Sequence, residues 1–255
     1  MKPIQQIAVF DSGIGGLSVL HEIIKQLPNE HYIYYADTDH LPYGTKTKEE
    51  IMSCVNRAVK TLTKHNLKAL VLACNTATSV AVKQLRAQYD FPIIGMEPAV
   101  KPAIEGSKKQ VMVCATERTL QEPKLHNLIA NLDGDAKVEL RSLQPLVLLA
   151  EDFTFDYDRV YPILEATFKD VDWDDFDYLV LGCTHFIYYK KALSYYLPPS
   201  VQIIDGNLGT ATHLKSMIQP NANDQPIQID YITSGRVGKP SQFELYLELL
   251  DSIQS

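Results

Sequence analysis

Four cysteines are spread over 255 residues, and no two stand at CxxC spacing. That excludes a thioredoxin-type redox pair. No His/Cys cluster has zinc-ligand spacing either, so neither a metal nor a structural zinc site is expected. In a reducing compartment Cys54, Cys74, Cys114 and Cys183 are expected as free thiols. Basic clusters are missing as well, and the formal net charge is −7. Nucleic acid and anionic membrane are thereby disfavoured as partners, although a small anion could still bind in a locally positive site. No apolar stretch is long enough to span a bilayer, and MKPIQQIAVFDSG has no signal-peptide apolar region, so a cytoplasmic location is expected.

What the chain does have is alternation. Short apolar runs read as buried strands: IAVF (7–10), YIYYA (32–36), ALVLA (69–73), PIIG (92–95), VMVCAT (111–116), YLVLG (178–182), VQIID (201–205) and IQIDYIT (227–233). Between them Leu17–Leu27, Glu49–Lys64, Ser79–Tyr89 and Gln242–Ser252 repeat apolar residues at helical spacing. Strand–helix alternation predicts an α/β protein with mainly parallel, doubly wound sheets. GMEPAVKPAIEG (95–106) reads as a crossover between two halves. The expected division is 1–97, completed by a returning segment 207–255, and 98–206.

Two of the strands end alike. VLACNTAT (71–78) and LVLGCTH (179–185) both stop at a cysteine followed by small hydrogen-bonding residues. In open α/β sheets that edge carries the ligand crevice. Cys74 precedes a helix, whose N-terminus should favour a thiolate and attract an anion. Asn75, Thr76 and Thr78 add donors; Thr184 and His185 do so beside Cys183. A buried thiol packing as a small hydrophobe is the ordinary alternative, and it suits Cys54 and Cys114. Two thiols without metal or cofactor suit inversion of a carbon stereocentre, one removing a proton on one face while the other returns one.

FDSGIGG (10–16) follows the first strand, and its glycines permit a tight turn and close backbone approach. It is not a dinucleotide fingerprint, because Ser18 stands where G-x-G-x-x-G needs glycine. Asp37 nevertheless falls near a ribose-binding position, so a nucleotide-binding module stays open at this point. Asp11 and Ser12 share the crevice edge with Cys74. Pro42-Tyr43-Gly44 is a turn by composition that could offer the amides of Tyr43 and Gly44 to a carboxylate. Thr116 and Thr119 could add hydroxyls. His185 reads either as a core histidine or as a proton carrier, and Glu151 as an acid closing the apolar stretch LVLLAE.

FDSGIGG, PYG, ACNTAT, EPAVKPA and GCTH, in this order from Asp11 to about Asp205, resemble bacterial glutamate racemase. The resemblance implies interconversion of L- and D-glutamate without cofactor or metal, supplying D-glutamate for peptidoglycan. It also implies two α/β domains related by a pseudo-two-fold, a site between them, and a homodimer. Carried over by motif, Cys74 acts on the α-proton of D-glutamate and Cys183 on that of L-glutamate. Asp11 accompanies the first thiol, His185 the second, and Glu151 matches the family acid. Ser12, Tyr43, Gly44, Asn75, Thr76, Thr184, Asp11 and His185 match substrate-binding positions. Ile187 stands where proline is usual and Arg236 where an acid is usual. A related aspartate or hydantoin racemase, or a binding protein that holds glutamate without exchanging its α-proton, would differ in turnover.

Overall fold

The computed structural model describes residues 5–132, 134, 137–221 and 227–254. In chain order the elements are β1 (Gln6–Asp11), α1 (Leu17–Gln26), β2 (His31–Ala36), α2 (Lys48–Leu62), β3 (Leu67–Leu72), α3 (Asn75–Gln88) and β4 (Ile93–Gly95). Then come α4 (Val100–Gly106), β5 (Gln110–Ala115), α5 (Glu117–Leu120), α6 (Pro123–Asn131), β6 (Val138–Ser142), α7 (Pro145–Glu151) and α8 (Tyr157–Phe168). The chain closes with β7 (Phe176–Leu181), α9 (Lys190–Tyr196), β8 (Gln202–Asp205), α10 (Asn207–Met217), β9 (Gln228–Thr233), β10 (Arg236–Val237) and α11 (Pro240–Gln254).

The strands form two sheets, ordered β10-β9-β2-β1-β3-β4 and β6-β5-β7-β8. Every pairing is parallel except the short β9–β10 hairpin. The run β2-β1-β3-β4 and the run β6-β5-β7-β8 have the same topology. Their central pairs, β1–β3 and β5–β7, even slip register at the same place, after the first residue. In each run the chain crosses from one side of its first strand to the other, which opens a crevice at the strands' carboxyl ends.

Strands covered on both faces explain the apolar runs. In β1, Ile7 and Val9 face one core with Leu17, Leu20 and Ile23 of α1, while Ala8 and Phe10 face another with Val55, Val59 and Leu62 of α2. The first of these cores continues without a break through Met112, Cys114, Leu179 and Leu181 of the second sheet. Each fully buried aliphatic side chain contributes about 1.5–3 kcal/mol. The opposite face of the second sheet, Val111, Val113 and Val180, packs under α4 and α6. Cys54 and Cys114 are buried core thiols as expected. No helix among the described residues is long and apolar enough to cross a membrane.

Local chemistry accounts for the departures from the sequence reading. Strand β6, VELRS, went unread because every residue in it is only half-buried and no apolar run marks it. The expected crossover at 95–106 includes helix α4, whose Pro102 lies in the first turn, where a missing N–H costs nothing. Helix α3 begins at Asn75, four residues before Ser79, because Cys74 itself caps it by accepting from the Ala77 amide at 3.4 Å.

Candidate active site

Both thiols stand one residue beyond an extra rung of their sheet. Ala73 N donates to Phe10 O at 2.8 Å, and Gly182 N donates to Cys114 O at 2.7 Å. Cys74 and Cys183 follow directly, so they occupy equivalent positions at the ends of β3 and β7. Cys74 is 6% exposed and Cys183 8%. Their charges sense one another, since a charge on Cys183 helps to raise the Cys74 thiol.

The Gly-rich turn after β1 joins the two halves. Asp11, wholly buried, accepts from Gly13 N at 2.9 Å and from Thr184 Oγ1, of the second half, at 3.2 Å. Glu151, the last residue of α7, accepts from Ile14 N at 2.8 Å. A Cβ on Gly13 would overlap Glu151 Oε1, and one on Gly15 would overlap Thr184 Oγ1. These glycines therefore permit close approach of side chains from the second half. The space a nucleotide phosphate would need over this turn is filled by the protein's own groups, which speaks against the dinucleotide reading. Asp37 is also otherwise engaged: it accepts from Tyr43 OH at 2.6 Å and pairs with His40 Nδ1 at 2.9 Å.

The two thiols have different neighbours. Cys74 accepts from Ala77 N and lies 3.7 Å from Ser12 Oγ, to which it can donate. The helix terminus was expected to lower its pKa. Instead burial, reinforced by the Asp11 carboxylate, pushes the thiol up to about 12. Cys183 lies 3.7 Å from His185 Nδ1, and His185 Nε2 lies 2.6 Å from Glu151 Oε1. Burial alone would make that imidazole give up its proton, but its bonds to Cys183 and Glu151 outweigh burial and raise its pKa well above the ordinary value. A charged ring donates at both nitrogens, toward the Cys183 sulfur on one side and the Glu151 carboxylate on the other. Burial raises the Asp11 carboxyl to about 6, against the opposing pull of His185.

Around the thiols the remaining expected residues converge. Thr76 Oγ1 lies 3.0 Å from Thr116 Oγ1 and 3.1 Å from Thr119 Oγ1, so three hydroxyls meet across the two halves. The turn Tyr43–Thr45 packs against α5, with its Tyr43 and Gly44 buried. Asn75, Cys183 and Thr184 line a narrow crevice together with Met96, Ile187 and Asn207. Ile187, at the position usually proline in the resembling family, thus lines the site. Arg236 is exposed on the β10 edge, ion-paired to Asp39 at 2.8 Å. Among the described residues one group could hold a metal ion: ligand atoms of Asp37, His40 and Cys54 lie within 4.8 Å of one another. Its atoms are already hydrogen-bonded, His40 Nε2 to Arg57 at 3.1 Å and Asp37 to Tyr43. Sequence reasoning overlooked Gln144, a buried side chain against Gly44; no motif or periodicity marks it.

The chain is similar to known proteins over most of its length. The Asp/Glu/hydantoin racemase family profile matches residues 7–214. A glutamate racemase of Halothermothrix orenii is 42% identical over 253 residues, covering 97% of this chain and 100% of that protein. One of Campylobacter concisus is 49% identical over 214 residues, covering 83% and 82%. Among solved structures, glutamate racemase from Campylobacter jejuni superposes with a TM-score of 0.82 at 26% identity, covering 97% of this chain and 98% of that one. The Escherichia coli enzyme, solved with L-glutamate and the activator UDP-MurNAc-ala, gives 0.79 at 30% identity, covering 97% and 96%.

Proposed function

The chain belongs to the Asp/Glu/hydantoin racemase family, and we propose that it interconverts L- and D-glutamate with Cys74 and Cys183 acting on opposite faces of the α-carbon. The observation that carries this reading is the pairing of equivalent strand ends with unlike surroundings. Cys74 holds its proton, raised to about 12, while Cys183 has a positively charged His185 donating toward it. In the L-to-D direction Cys183 thiolate takes the α-proton. The electron pair stays on the α-carbon, delocalised into the α-carboxylate, and Cys74 thiol delivers its proton to the other face. The products are D-glutamate, a Cys183 thiol and a Cys74 thiolate, and the reverse direction exchanges the roles.

Asp11 and Ser12 are positioned to steady the Cys74 side, and Glu151 to hold His185 in orientation and charge. The amides of Tyr43 and Gly44 and the polar groups of Asn75, Thr76 and Thr184 suit a dicarboxylate. The division into domains 1–97 with 207–255 and 98–206 is part of this proposal, supported by sheet membership. So are a cytoplasmic homodimer that needs no cofactor and a role in supplying D-glutamate for peptidoglycan.

The test is α-proton exchange in deuterated water. Cys74→Ser should depress exchange of D-glutamate far more than that of L-glutamate, and Cys183→Ser the reverse, each by roughly 10²–10⁴-fold. Equal, mild losses would defeat the two-base reading. Faster turnover of aspartate than of glutamate would reassign the substrate.

A further inference from the structure

Among the described residues two buried carboxamide oxygens have no hydrogen-bond partner, Asn75 Oδ1 and Gln144 Oε1. Asn75 lines the crevice beside Cys183 and Thr184. Gln144 lies elsewhere, at the start of α7, the helix that ends in Glu151. Its backbone N–H is held by Ser142 Oγ at 3.3 Å, and its carbonyl accepts from Val147 N at 3.1 Å. The main chain is therefore anchored while the carboxamide is not. The side chain is 8% exposed and lies directly over the Tyr43–Thr45 turn: a Cβ on Gly44 would overlap Gln144 Oε1 and come within 2.8 Å of Thr116 Cβ. Only glycine at 44 leaves room for it.

An unpartnered polar group at that depth is costly unless a ligand pairs with it. A carboxamide can turn half a revolution about its last torsion, exchanging oxygen for NH₂ in nearly the same volume. Turned so, Gln144 would aim N–H donors at the same turn that offers the Tyr43 and Gly44 amides. It lies against the Tyr43–Gly44 turn and is not among the hydrogen-bond partners of either sulfur, which are Ser12, Ala77 and His185, so it is placed to meet the substrate's arm rather than the α-carbon.

We infer that Gln144 is a specificity-determining residue, its carboxamide donating to the side-chain carboxylate of the bound amino acid above the Tyr43–Gly44 turn. This rests on the glutamate reading and adds to it a residue on the second half that measures the length and charge of the substrate's acidic arm.

Two near-isosteric variants test it, Gln144→Glu and Gln144→Met, each checked for folding by its melting temperature. Glutamate binding is measured by calorimetry, with KM and kcat measured in both directions. Gln144→Glu, which sets a carboxylate against a carboxylate, should raise Kd and KM for glutamate roughly 30-fold, with kcat within about threefold, since the lost contact is made equally before and during reaction. It should narrow the preference for glutamate over glutamine, whose amide can donate to the new acid. Gln144→Met should weaken glutamate about tenfold. Folded variants that bind glutamate within about twofold of the wild-type protein would overturn the inference and leave the racemase reading intact. A wild-type protein that neither binds nor racemises glutamate would sink both.

Discussion

The strand β3 with its cysteine and the strand β7 with its cysteine are the same device built twice, with opposite finish. Both strands pair in parallel with the first strand of their own sheet, and both gain one extra rung before the thiol. After Cys74 the chain enters a 14-residue helix that the sulfur caps. After Cys183 it enters only a tight 3-10 turn, Thr184–Tyr189, with no cap from the sulfur. The first thiol therefore meets backbone N–H groups and a hydroxyl, and burial keeps it protonated. The second meets an imidazole whose far nitrogen is tied to the half-buried Glu151 carboxylate. Duplicated topology supplies two thiols; non-equivalent neighbours give them different hydrogen-bond partners.

The sharpest way to break this comparison is to remove the neighbours and keep the thiols. His185→Gln should slow exchange of L-glutamate by roughly 10²-fold or more and spare D-glutamate exchange in comparison. Asp11→Asn should tilt the loss toward D-glutamate. If both variants lose both directions alike, the two thiols are not separately served.

A second expectation concerns stability. The Asp11 carboxyl titrates at about 6 in the folded protein against an ordinary 3.8. A raised carboxyl pKa means the folded state holds the proton more tightly. Its stabilising contribution is complete below 3.8 and lost as pH rises through about 6. Over that window wild-type protein should lose about 3 kcal/mol relative to Asp11→Asn. Denaturant unfolding of both proteins at pH 4 and pH 8 measures the difference, and a difference that does not change with pH would refute the assigned environment. Smallest is the effect of Gly15→Ala, which should cost about 1–3 kcal/mol by driving a methyl into Thr184. Because the methyl also meets His185 Nδ1, which faces Cys183, the loss should fall more on L-glutamate exchange than on D-glutamate exchange.

Much of this arrangement is legible in the amino-acid order. Apolar runs with polar breaks predict strands β1, β3, β5 and β7, since a parallel strand buried on both faces must be apolar throughout. The repeated thiol with its polar suffix, the Gly-rich turn, Thr184 and His185 all stand out for the same reason: polar residues interrupt apolar runs at one kind of position. Other features leave no such mark. Strand β6 is half-exposed and mixed in composition. Gln144 is one amide before an apolar stretch, unmarked until Gly44 is brought against it. The helix end before Ala77 suggested an acidic thiol at Cys74, but desolvation dominates the effect of one amide dipole.

Taken alone, the sequence determined which residues would end the strands and which of them could carry protons, because burial and hydrogen-bonding capacity are properties of side chains and their spacing. Only tertiary structure decided that burial keeps the Cys74 thiol protonated, that Glu151 reaches His185 and Ile14, and that Gln144 closes over Gly44. Those depend on how deeply each group is removed from water and which charge from a distant part of the chain is brought beside it.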